Sequence, residues 1–169
     1  MSAPAETHIK RGHIVTFSLL TLFSLIEWII AAALVARYNR DNNYPSNSVR
    51  DRTRFLLFTG LWTFVFSIVY LAGFLTAATN FLFSIASHVV WLFVTWVFWL
   101  AGTAALTSSL GGSLDCNVYL GPHCGQLNAL EAFGWICWVI VTFMLAFAVW
   151  IGARSARGGN GFGGAVVSA

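Results

Sequence analysis

The sequence predicts an all-α integral membrane protein, a four-helix transmembrane bundle. Three observations carry that expectation. Of 169 residues, 58% are hydrophobic and 9% charged, too few charged groups to cover a soluble globule of this length. The apolar residues gather into four uninterrupted stretches, 14–36, 55–78, 83–106 and 130–153, each of 23 or 24 residues. The segments between them are short and polar. At a rise of about 1.5 Å per residue, each stretch crosses a hydrocarbon core of about 30 Å with room for tilt. A membrane β-barrel would instead alternate apolar and polar residues along strands of about ten residues, and these runs do not alternate.

The first stretch is long for the apolar core of a signal peptide, and ALVARY leads into a charged segment without convincing cleavage geometry. It is expected to remain as a signal anchor. Residues 37–54, RYNRDNNYPSNSVRDRTR, hold five arginines and two aspartates around a turn-prone NNYPSN centre. Between the second and third stretches only about TNFL remains, enough for a tight hairpin between antiparallel neighbours. The third connection, 107–129, is rich in Gly and Ser and contains DCNVYLGPHCG. After the fourth stretch comes RSARGGNGFGGAVVSA, a Gly-rich tail without the means to build a core. The expected division is therefore an N-terminal segment 1–13, a transmembrane domain 14–153 and a tail 154–169.

Within DCNVYLGPHCG, Cys116 and Cys124 are separated by seven residues. A structural zinc site wants four ligands, usually with closer cysteine spacing, and Cys116, His123, Cys124 and Asp115 fit that poorly. A thioredoxin-like pair would need C-x-x-C at a helix start. A disulfide closing the Gly-Pro turn is the simplest reading, with His123 as a turn residue beside it. No metal and no cofactor is expected. Cys137, inside the fourth stretch, reads as a small buried hydrophobe.

Charge alone leaves the orientation open. Lys10, Arg11, Arg154 and Arg157 stand on one side and Arg37, Arg40, Arg50, Arg52 and Arg54 on the other. Lys10 and Arg11 directly precede the first helix, which usually dominates insertion. A disulfide persists on the oxidising side of a membrane. Both features put the termini in the cytosol and loops 37–54 and 107–129 outside or in a lumen.

Ionisable groups inside spans are costly and often functional, which singles out Glu27 and His88. From the cytosolic helix ends Glu27 lies about 20 Å deep and His88 about 8 Å, too far apart in depth for an obvious relay pair. At the height of Glu27 the other helices offer Thr63, Ser67, Thr95 and Thr142, and a protonated Glu27 held by one of these hydroxyls is expected. His88 is placed to reach the interface. Glu131, at the outer end of the fourth helix, reads as a solvated or helix-start carboxylate favoured by the N-terminal dipole.

The third helix, SHVVWLFVTWVFWLAGTAAL, carries Trp91, Phe93, Trp96, Phe98 and Trp99 around most of its circumference. Such a helix must meet both neighbours and lipid. Its rings offer a surface to sterol or acyl chains, although packing inside the bundle is the commoner use of such residues. Ala101 and Ala105, like Ala32 and Ala36, have the small-xxx-small spacing that lets helices approach closely. No nucleotide-binding glycine motif, catalytic triad, HExxH or paired carboxylate occurs, so an enzyme is not expected. There is also no N-x-S/T sequon and no myristoylation or CaaX signal.

The short basic N-terminus, the RYN…YPS…RDRTRFLLF passage into helix two, the aromatic third helix and the C…CGQLNALEAFGWICWV entry to helix four stand in a specific order and spacing. In that order they resemble the fungal MARVEL-domain membrane proteins, those of basidiomycetes especially, over residues 10–155. The resemblance implies a four-helix bundle with cytosolic termini, in a family associated with membrane apposition, vesicle trafficking and plasma-membrane microdomains. It brings no catalytic residues. Two functions of different class are then in play. One is a membrane organiser that packs with itself, with lipids including sterol, or with partner proteins. The other is a small transporter or channel using Glu27. An accessory subunit of a larger membrane complex is a third. A homo-oligomer is expected from the aromatic third helix and the small-residue faces, and nucleic acid is not an expected partner.

Overall fold

A computed structural model describes residues 3–75, 85–119 and 121–157. They form four helices: α1 Ala3–Asp41, α2 Asn47–Leu75, α3 Ile85–Leu110 and α4 Cys124–Arg157. Each contains a segment long and apolar enough to cross a membrane, and the protein is an integral membrane bundle. A helix satisfies its own backbone hydrogen bonds, which hydrocarbon cannot do for it. The 79–82 hairpin and residues 158–169 of the tail lie outside the described residues.

The helices run well past the apolar stretches. Residues 37–41 still belong to α1, and 47–54 already belong to α2, so most of the segment read as a polar loop is helix. Its ends are set by local chemistry at the NNYPSN centre. Asn42 closes α1 in the left-handed region, with φ 48°, a conformation that asparagine tolerates better than most residues. Ser46 caps α2: its Oγ accepts from the Val49 N–H at 3.2 Å, and its carbonyl accepts from the Arg50 N–H at 3.1 Å. Arg54 donates to Asn39 Oδ1 at 3.0 Å and ties the two helices together above the turn.

The chain order is also the order around the bundle: α1 packs on α2, α2 on α3, α3 on α4, and α4 returns to α1. Phe17, Leu20, Leu34, Leu56, Leu92, Trp99, Leu106, Leu127 and Leu130 fill the interior. The exterior is apolar too, with Val15, Ile29, Phe58, Phe93 and Phe143 exposed, as a hydrocarbon solvent requires. At the far end of α4, Arg154 lies 4.7 Å over the Trp150 ring, a pairing suited to the membrane–water boundary.

The α3–α4 connection is built tightly. Gly111 and Gly112 take φ of 78° and 106°, and the Gly112 N–H bonds the Thr107 carbonyl at 3.0 Å, ending α3 with a left-handed cap that satisfies a terminal carbonyl and needs glycine. Asp115 makes an Asx-turn by accepting from the Asn117 N–H at 3.0 Å. Asn128 of α4 grips the loop as a strand would, accepting from the Leu114 N–H at 2.8 Å and donating to the Leu114 carbonyl at 2.7 Å. A disulfide joins Cys116 to Cys124 with Cα atoms 5.7 Å apart. His123, at φ 63°, tilts against Tyr38 at 5.8 Å between ring centroids. Arg37 donates to Gln126 Oε1 at 3.2 Å, so the outer ends of α1 and α4 are also linked.

Candidate functional site

The polar groups inside the bundle are the candidates for function, and most are engaged in joining helices. Four indoles donate to threonines on a neighbouring helix: Trp62 to Thr95 at 3.1 Å, Trp99 to Thr63 at 3.0 Å, Trp96 to Thr142 at 2.8 Å and Trp135 to Thr107 at 3.3 Å. Helix α3 thus exchanges one such bond in each direction with α2, and one in each direction with α4. Inside a membrane these bonds matter because apolar burial gives no net drive between helices, lipid tails being as apolar as leucine. The indoles of Trp91 and Trp138 have no partner among the described residues.

This pattern accounts for the one expectation about Glu27 that is not met. Glu27 is fully buried, and neither carboxylate oxygen has a hydrogen-bond partner among the described residues. The hydroxyls expected to hold it are turned elsewhere. Thr63 donates to the Thr59 carbonyl at 2.8 Å while receiving Trp99, and Thr142 donates to the Trp138 carbonyl at 2.8 Å while receiving Trp96. Ser67 donates to the Phe64 carbonyl at 3.0 Å and receives Thr21 at 2.9 Å, and Thr95 receives Trp62. Counting residues also misjudged the height of Ser67, which meets Thr21, six residues from Glu27, whereas α2 meets Glu27 itself at Gly60.

What Glu27 does meet is Gly60. A Cβ added at Gly60 would overlap Glu27 Oε2 and sit 3.2 Å from the Trp28 Cβ, so α1 and α2 approach where α2 has no side chain. Gly102 lies in the same manner against Phe55 and Leu56, and Gly134 against Thr103. These three glycines were missed by the sequence reading. Their signal was a glycine in the middle of an otherwise bulky span. Replacing Gly60 with alanine is expected to lower unfolding free energy in mild detergent by about 1–3 kcal/mol. In Glu27→Ala the same substitution should cost less, because the overlap is gone. Equal costs in both backgrounds would show that the glycine serves something other than the carboxyl.

His88, in the first turn of α3, is turned into the bundle rather than outward. It is buried in a ring cluster, 5.3 Å from Phe17, 4.8 Å from Tyr70 and 6.3 Å from Trp91 by centroids. Glu131 is neither solvated nor in the first turn of α4. It lies further into α4, is 7% exposed and accepts from Thr107 at 2.7 Å, while its other oxygen is without a partner among the described residues.

The α3 aromatics divide by direction. Trp91 and Trp99 face inward, and Phe93 is 55% exposed. Phe98 sits edge-on to Phe55, Phe58 and Trp62 of α2, and Trp96 lies 5.9 Å from Trp138 of α4. Ala101 is exposed and Ala105 half-buried, so this small-residue pair does not mediate the close approaches within the chain; Gly60, Gly102 and Gly134 do. Among the described residues no three His, Cys, Asp or Glu side chains gather as metal ligands. Cys137 is a free, buried thiol.

Four membrane-crossing helices in chain order, joined internally by indole-to-hydroxyl bonds and closed at one end by a stapled loop, define a membrane-associated tetraspan protein. Residues 9–149 match the membrane-associating domain called MARVEL, and the chain belongs to that family. No curated protein and no solved structure matches it.

Proposed function

We propose that the protein is a non-enzymatic membrane organiser of the fungal type its sequence resembles, packing with itself, with lipids including sterol, or with partner membrane proteins in microdomains or trafficking vesicles. The observation that carries this reading is the division of labour between its two surfaces. Thr63, Thr95, Thr107 and Thr142 inside the bundle are occupied in holding helices together, while the outer face of α3 presents Val90, Phe93, Val97 and Ala101, an apolar row with a small residue in it. Such a row suits close packing with another helix or with a flat lipid. The Cys116–Cys124 disulfide supports placing both larger connections outside or in a lumen and the termini in the cytosol. The corresponding compartments are the plasma membrane and secretory or endosomal vesicles.

A second reading, a small transporter, is favoured by one observation: the unpartnered Glu27 carboxyl inside the bundle. One experiment separates the two. Purified protein in sealed liposomes is expected to leave ion and proton permeability at the level of empty liposomes, and native mass spectrometry in mild detergent is expected to show an oligomer. Flux that disappears in Glu27→Gln would defeat the organiser as a complete account. Monomer alone would remove the self-packing part of it.

A further inference from the structure

Glu27 is surrounded by three facts. It is wholly buried, both its oxygens lack partners, and no ion pair to it occurs among the described residues. Facing it, α2 presents Gly60, which is not titratable, and α4 carries the buried thiol Cys137. His88 of α3 lies in the ring cluster far below. A bare carboxylate here would be stripped of its water with no counter-charge against it. A hard metal cation is a poor remedy, because it takes several oxygen ligands, about six to eight for calcium, and Thr63, Thr95 and Thr142 already accept from indoles. A proton needs the carboxyl alone.

The two directions away from Glu27 differ. Toward the N-terminal end of α1 the polar groups are closed on one another: Ser24 donates to the Thr21 carbonyl at 3.1 Å, Thr21 to Ser67, and Ser67 to the Phe64 carbonyl. Toward the disulfide-bearing loop they are open. Gly134 lies one turn from Cys137 along α4 and meets Thr103, whose Oγ1 is buried without a partner. One turn further along α3, Thr107 bonds Glu131, whose Oε2 is again unpartnered. Buried oxygens of this kind are where proteins hold internal water.

We propose that Glu27 is a proton-binding site in the membrane interior, loaded at neutral pH, and that its proton exchanges with water from the stapled-loop end along Thr103, Thr107 and Glu131. The carboxyl gains or loses one proton to a water on that path, and no other bond changes. Gly60 makes the site: it leaves room for the neutral carboxyl against α2.

Infrared spectroscopy of the protein in liposomes reads this directly. The expected result is a carboxylic-acid carbonyl band at neutral pH that shifts on transfer to D2O and is replaced by carboxylate bands when pH is raised. Glutamate labelled with 13C should move the band in the unmutated chain, which keeps the test independent of variant folding. Glu6→Gln should retain it and Glu27→Gln should lose it. Thr103→Val should slow the deuterium shift, and Thr21→Val should not. Carboxylate bands alone at neutral pH, an acid band that never exchanges, or equal exchange rates in the two threonine variants would overturn the proposal. The reading as an organiser is judged separately, by flux and oligomeric state, since a site can load and exchange a proton without conducting one.

Discussion

Replacing Trp99 with alanine lowers the unfolding free energy of the purified protein in mild detergent by about 3 kcal/mol, the low end of the range for tryptophan truncation in soluble cores. Trp99 has no exposed surface and heads the fully buried side chains by volume. Truncation leaves a void whose lining loses dispersion contacts, and it leaves Thr63 without the indole N–H it accepts at 3.0 Å. The transfer contribution is smaller than in water because the unfolded helices remain in an apolar solvent, which is why the low end applies. Trp99→Phe keeps most of the volume and removes the hydrogen bond, and its cost should be about 1 kcal/mol. Phe93→Ala, on the exposed side of the same helix, should stay within about 0.5 kcal/mol. Thermal melts or denaturant titration of the three variants give the comparison, and a Phe93 penalty equal to that of Trp99 would mean that α3 is rotated from the orientation described.

Removing the staple has the next largest effect. The Cys116→Ser, Cys124→Ser double variant is expected to lose about 2–3 kcal/mol, the chain-entropy value for closing so short a loop. The loss should fall near the lower figure if Asn128 keeps its two bonds to Leu114, because the loop then retains part of its order without the disulfide. Reduction of the unmodified protein should reproduce the shift. An impermeant maleimide added to intact cells should label only after reduction, at Cys116 and Cys124, while buried Cys137 stays unlabelled. Prompt labelling without reductant would show the thiols free, and labelling only after permeabilisation would reverse the proposed orientation.

Different physical signals made different parts of this structure legible. The four spans could be read because a run of more than twenty apolar residues has few fates outside a membrane. Cys116 and Cys124 could be paired because the loop between them offers no competing ligand set. The helix ends were legible in principle: Asn42 and Ser46 are ordinary stop and start residues, yet the arginines around them made the whole segment look like loop. Glu27 shows a harder limit. Residue counting along a span assumes where each helix starts and how it tilts, and a hydrogen bond also depends on rotation about the axis, which is fixed by all the packing contacts of the helix together. Thr63, Ser67, Thr95 and Thr142 face other partners, and Ser67 stands level with Thr21 rather than with Glu27. Glu131 was misread for the same reason, since Thr107 on the neighbouring helix turns it inward.

The reciprocal bonds of α3 have a consequence for anything that docks on the bundle. A helix in fluid hydrocarbon is free to spin about its own axis, and a turn of about 100° moves each side chain to the place of its neighbour. Trp62, Trp96, Trp99 and Trp135 would all lose their threonines in such a turn, so α3 is locked in azimuth from both flanks. The face carrying Phe93, Val97 and Ala101 is therefore presented in a fixed pose before any partner arrives. A partner or lipid that fits it gives up little free energy to ordering the surface, so modest contacts there can support lasting association.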